Sequence, residues 1–165
     1  MNRGFILIEA SVSYIVLALA LVALVPMFIL SLRANAASAK VAAALHLSQE
    51  LLEEVRLHRW DEATPAPAVH IAAGGALGVD AGENAADKRT FDDVDDFDGW
   101  TESPPQDPVM RPLTAFSMYT RTVAVRYVNS SFQVSAAPTD LKQVAVCTAA
   151  PGMKPVCLDT ILANR

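Results

Sequence analysis

Five carboxylates crowd into seven residues at Asp92, Asp93, Asp95, Asp96 and Asp98, within Thr90-Phe91-Asp92-Asp93-Val94-Asp95-Asp96-Phe97-Asp98-Gly99-Trp100. Oxygen donors at this density are what a calcium ion collects, six to eight at a time. An EF-hand loop does not fit. Setting Gly99 at the obligatory sixth place puts Val94 in the first ligand position, and no Glu stands six residues on. The competing reading is a solvated acidic turn, pinned to a core by Phe91, Val94, Phe97 and Trp100, which recur every three residues. Other chemistry is sparse. His46, His58 and His70 lack metal-ligand spacing, and Ser131 and Ser135 lack a Gly-x-Ser-x-Gly setting. There is no phosphate loop and no dinucleotide fingerprint. The expectation is a non-enzyme without a resident cofactor, calcium being the one cation with candidate ligands.

One further carboxylate stands apart. Glu9 is the single charge in Phe5 to Leu32, a run of 28 residues without Lys, Arg or Asp. A helix of about 20 apolar residues already crosses the hydrocarbon core of a bilayer. A carboxylate at that depth costs on the order of 2.5–3.5 kcal/mol or more unless it finds a partner, so Glu9 is expected to have a use. A plain anchor would explain the hydrophobicity but not the Glu. A secretory signal ending at Ala34-Asn35-Ala36 would have an apolar region about twice the usual length. A soluble core helix would need apolar cover that the remaining chain is too small and too polar to supply.

Gly4-Phe5-Ile6-Leu7-Ile8-Glu9, preceded by Arg3, resembles the class III signal of type IV pilins and type II secretion pseudopilins. That resemblance implies cleavage between Gly4 and Phe5 by a membrane prepilin peptidase and methylation of the new amino group of Phe5. Ile6 stands where Thr is commoner. Pro26 matches the proline found late in the apolar segment of these proteins, where it kinks an isolated helix or melts a turn of a packed one. Phe91-Asp92-x-Val94-x-Asp96-x-x-Gly99 is also similar to a segment of minor pilins of the mannose-sensitive haemagglutinin pilus type. The resemblance places residues 1–4 inside the cell as a leader and the bulk of the chain outside the cytoplasm. In that compartment Cys147 and Cys157, ten positions apart, are expected to form a disulfide.

The elements follow from pattern. The chain has 165 residues and a formal charge of −5, but ten acidic and two basic residues fall between Asp80 and Asp107, a local −8 that leaves +3 elsewhere. No basic cluster suggests nucleic acid. Without its apolar run the chain holds about 130 residues, enough for one modest domain. From Ala34 to about Arg59 an amphipathic pattern continues the apolar helix, with Val41, Leu45, Leu52 and Val55 on the stripe and Ala44, Ser48 and Leu51 beside it. Too few heptads are present for a coiled coil. Thr64-Pro65-Ala66-Pro67 ends the helix and a loop runs to about Asp87. After the Pro104, Pro105, Pro108 and Pro112 connector, Tyr119 to Val128 alternates as a strand. Phe132 to Val134 extends it, and Lys142–Thr148 and Pro155–Ile161 flank a Pro151-Gly152 turn.

The expected architecture is α+β and pilin-like: leader 1–4, membrane or filament-core helix 5–32, amphipathic continuation 33–60, and a headpiece 61–165 with a small antiparallel sheet on the helix. The resemblance implies a minor type IV pilin that sits in the inner membrane with its C-terminal part periplasmic, then enters a pilus. Its implied partners are other pilin subunits, the prepilin peptidase and the inner-membrane assembly platform. Glu9 would pair with the methylated amino group of Phe5 on an adjacent subunit. A type II secretion pseudopilin and a membrane-anchored calcium-binding domain are the alternatives.

Overall fold

The computed structural model of the protein describes residues 3–64, 70–72 and 74–165, with side chains described from Leu7 onward; it divides into two compact units, Met1–Lys40 and Val41–Arg165. A single helix, α1 (Arg3–Arg56), runs through both ranges. Its interior beyond Gly4 is free of glycine, and Pro26 is the one proline; the backbone is helical on both sides of it. The helix stops at Arg56, three residues before the expected limit, and the Pro65 and Pro67 stop signal lies outside the described residues.

In the first unit every described side chain from Leu7 to Lys40 is exposed, including Leu7 at 70%, Tyr14 at 73% and Val22 at 72%. This is the one helix among the described residues long and apolar enough to cross a membrane.

The second unit is built on the C-terminal part of α1 and a four-stranded antiparallel sheet of order β1-β2-β3-β4: β1 (Thr101–Glu102), β2 (Thr120–Tyr127), β3 (Leu141–Ala149) and β4 (Val156–Ala163). Alternation is nearly strict in β2, where Arg121, Val123, Val125 and Tyr127 are buried, and in β3, where Lys142, Val144, Val146 and Thr148 are. A half-buried antiparallel sheet needs that period of two. Phe132 to Val134 does not form a full strand; only Val134 bridges back to Val128. The helix contributes Ala44, Leu47, Ser48, Leu51, Leu52 and Val55, a three-and-four spacing that makes one continuous buried stripe. Val41 and Leu45, expected on that stripe, are 46% and 41% exposed because the packed face is centred on Leu47, Leu51 and Val55. Leu51, Leu52 and Val55 meet Val123, Val125, Val144 and Val146 of the sheet and Phe91, Val94 and Phe97 of the acidic turn in one cluster, with Trp100 packed at its margin. The α+β architecture of a long helix on a small antiparallel sheet is therefore as expected from the sequence.

Candidate functional site

The acidic turn is anchored by Phe91, Val94 and Phe97, which are buried, with Phe91 set edge-on to both Phe97 and Trp100 at 5.0 and 5.3 Å. The expectation of a solvated turn is corrected by its carboxylates. Asp93, Asp95 and Asp96 are only 1%, 4% and 2% exposed, because the three-residue spacing of the anchors winds a short 3-10 turn (Asp95–Phe97) that carries intervening residues inward. Asp92 and Asp98 stay exposed.

Each buried acid has a structural bond. Asp96 Oδ2 accepts from the backbone N–H of Asp92 and Asp93 at 3.0 Å, and Asp93 Oδ1 accepts from that of Asp95 at 2.9 Å. Asp98 Oδ1 accepts from Val125 N–H at 2.8 Å, tying the turn to β2.

The fold then adds carboxylates from afar. Glu62 and Asp80 offer oxygens within 4.8 Å of one another and of Asp93, and Glu83 does the same with Asp92 and Asp96. Crowding shows in the proton equilibria. Burial first, then the hydrogen bond that its protonated carboxyl donates to Asp95, pushes Asp93 up to about 8. Burial and a bond to Asp96 push Glu83 to about 7, and a bond to Asp92 raises Glu62. Like charges brought together take up protons or a cation. Glu62, Asp80 and Glu83 were not among the expected ligands. They come from the helix exit and the following loop, where neither spacing nor composition links them to the turn.

Three buried cations, Lys142, Lys88 and Arg121, hold this region to the rest of the unit. Lys142, fully buried on β3, contacts Asp95, donates to the Trp60 carbonyl at 2.6 Å, and sits 4.2 Å from the centre of the Trp60 ring. Glu102 of β1 accepts from Lys88 Nζ at 2.8 Å, Arg121 Nε at 2.8 Å, Trp100 Nε1 at 3.1 Å and Gln106 N–H at 3.0 Å. Burial alone would raise the Glu102 pKa, but the Arg121 charge and the Lys88 contact outweigh it and hold the carboxyl below its ordinary value.

Cys147 and Cys157 face each other across β3 and β4 and form a disulfide, as the sequence suggested. His46 is exposed, His58 packs its ring edge-on to Phe97, and His70 approaches Asp140; the structure does not gather them into one site. Glu9 is exposed on the apolar part of α1, and its carboxylate has no partner among the described residues. The backbone is helical at Gly4 and Phe5, and the Phe5 side chain lies outside what the structure describes.

Comparison with family models, with curated proteins and with solved structures gave no match.

Proposed function

We propose that the chain is a structural subunit of the type IV pilin kind, a minor pilin whose apolar helix first sits in the inner membrane and then packs against copies of itself or related subunits. One observation carries the reading: residues 7–32 of α1 present apolar side chains on every side, and none of them is covered by another of the described residues. In a bilayer lipid covers that surface; in a filament neighbouring helices do. Glu9 fits both stages only if assembly gives it a cation, and the amino group created by cleavage at Gly4–Phe5 is the one the motif supplies. Pairing offsets the desolvation of both charges and fixes the axial register between subunits. Residues 41–165 would then be the periplasmic, later surface-exposed, headpiece. Glu9→Ala should insert in the membrane like the parent chain yet fail to enter sheared filaments. Undiminished incorporation of that variant would remove the role given to Glu9.

The crowding of Glu62, Asp80 and Asp93, and of Glu83, Asp92 and Asp96, favours a second reading alongside the first: the headpiece binds calcium, which would relieve the repulsion now met by protons. Equilibrium dialysis of the full chain in detergent tests it. Uptake that Asp96→Asn abolishes supports calcium, and no uptake at millimolar calcium excludes it.

A further inference from the structure

Lys88 and Lys142 both have fully buried ammonium groups, but the carboxylates they meet differ. Glu102, opposite Lys88, also accepts from Arg121, Trp100 and Gln106. A carboxylate held by that many donors is a stable anion and a poor electrophile. Asp95, opposite Lys142, takes no other N–H among the described residues; its carboxyl has one further bond, donated by the Asp93 carboxyl. A buried amine beside a sparsely held carboxyl is a nucleophile beside an electrophile.

The two groups are held together and dry. Lys142 Nζ touches Asp95 Oδ1, and the Asp95 side chain is 6% exposed. The Trp60 and Tyr127 rings, on buried residues, stand 4.2 and 5.6 Å from the same nitrogen and screen it from water. Both partners are fixed by their backbones. The Asp95 N–H donates to Asp93 Oδ1 at 2.9 Å where the 3-10 turn begins, and Lys142 is a central-strand residue whose Nζ also donates to the Trp60 carbonyl at 2.6 Å. Groups oriented in contact react as if present at about 10⁵–10⁸ M. A second carboxylate oxygen, Asp61 Oδ2, lies 3.5 Å from Lys142 Nζ, in place to carry a proton.

We propose that Lys142 and Asp95 condense to an isopeptide bond that ties the acidic turn covalently to β3. The Lys142 nitrogen bonds to Cγ of Asp95 and one Cγ–O bond breaks. Of the three ammonium protons one stays on the amide nitrogen, and two leave with the oxygen as water. One of these passes directly within the pair and the other by way of Asp61 Oδ2. Nothing is oxidised or reduced, the net charge is unchanged, and no cofactor takes part. Exclusion of water opposes the reverse hydrolysis. The bond closes a loop of sequence separation 47 and forms whether or not the chain enters a filament, since every group involved belongs to the Val41–Arg165 unit.

Mass spectrometry of the full chain, purified in detergent and reduced at its disulfide, tests this. The parent chain should weigh one water less than its sequence requires, and Lys142→Arg, which keeps the charge, should have its full mass. An Asp-Gly step such as Asp98-Gly99 also loses water by closing on its own backbone, so the position of the loss is read by digestion. The expected product is a branched peptide joining the segments that hold Asp95 and Lys142. Asp61→Asn should form it at least about tenfold more slowly in a pulse-chase, because the proton carrier is gone. A parent chain of full mass overturns the proposal. So does water loss that persists in Lys142→Arg, or a digest in which the two segments are unlinked; an unchanged rate in Asp61→Asn overturns the role given to Asp61. Leader removal and methylation alter only the N-terminal peptide, so failure of the pilin reading and failure of this one are separately visible.

Discussion

Glu102→Gln isolates the charge that organises the headpiece. The side chain keeps its size and most of its hydrogen-bonding capacity, but Lys88 and Arg121, both fully buried, lose the anion they share. Removing one member of a buried ion pair costs about 3–5 kcal/mol, because the other charge stays desolvated and uncompensated. Here the lower end applies. Lys88 retains Glu54 at 2.9 Å, while Arg121 keeps Glu50 at 3.7 Å, a carboxylate 47% exposed, and the backbone carbonyls of Leu47 and Gln106. A loss of about 3 kcal/mol is a large share of the 5–15 kcal/mol typical of a domain and corresponds to a fall in Tm of roughly 10 °C. Guanidinium unfolding of the full chain in detergent, followed by tryptophan fluorescence, reads it directly, since Trp100 bonds to the substituted carboxyl. The triple variant Lys88→Met, Glu102→Leu, Arg121→Met removes the three fully buried charges together and should be more stable than Glu102→Gln, short of the parent only by what Glu54, 11% exposed, loses with its cation. If Glu102→Gln costs less than about 1 kcal/mol, the two cations are not held by this carboxylate and the reasoning fails.

The same group sets an acid limit. Because its folded pKa lies below the ordinary 4.5, its contribution is complete above that pH and is lost as the pH falls through the folded value. Melts across this range should show the parent losing stability on acidification below 4.5 and Glu102→Gln losing less. Gly74→Ala would place a Cβ 2.0 Å from Asp61 Oδ2 and 2.6 Å from Tyr127 Oη, whereas at Gly75 nothing lies within 4 Å. The first should cost about 1–3 kcal/mol in a denaturant titration and the second under about 0.5 kcal/mol. Cys147→Ser with Cys157→Ser opens a loop of sequence separation 10 and should lower stability by roughly 2–3 kcal/mol in the chain-entropy account.

Much of the fold could be read from period alone. β2 and β3 lie within a residue or two of where alternation put them, and the disulfide sits across the hairpin that Pro151-Gly152 turns. β1 escaped notice because two residues are too short to show a period. The helix stripe was legible except for its phase, since Leu47 adds the third ridge that rotates the buried face away from Val41 and Leu45. Charge was the real blind spot. Lys88, Glu102 and Lys142 look like surface residues when read singly, and only their mutual compensation lets them be buried. Arg121 did carry a signal, because it falls in the same alternating phase as Tyr119, Val123, Val125 and Tyr127. Nothing comparable marked Glu62, Asp80 and Glu83. They meet Asp92, Asp93 and Asp96 through the tertiary fold, while neighbouring anchors at Phe91, Val94 and Phe97 were visible as a local repeat.

The mass of the N-terminal peptide from membrane-extracted protein tests the central claim most directly. A filament subunit of this kind should begin at Phe5 and carry one added methyl group on its α-amino nitrogen. Recovery of the chain from the membrane with residues 1–4 still attached and no methylation would contradict the account.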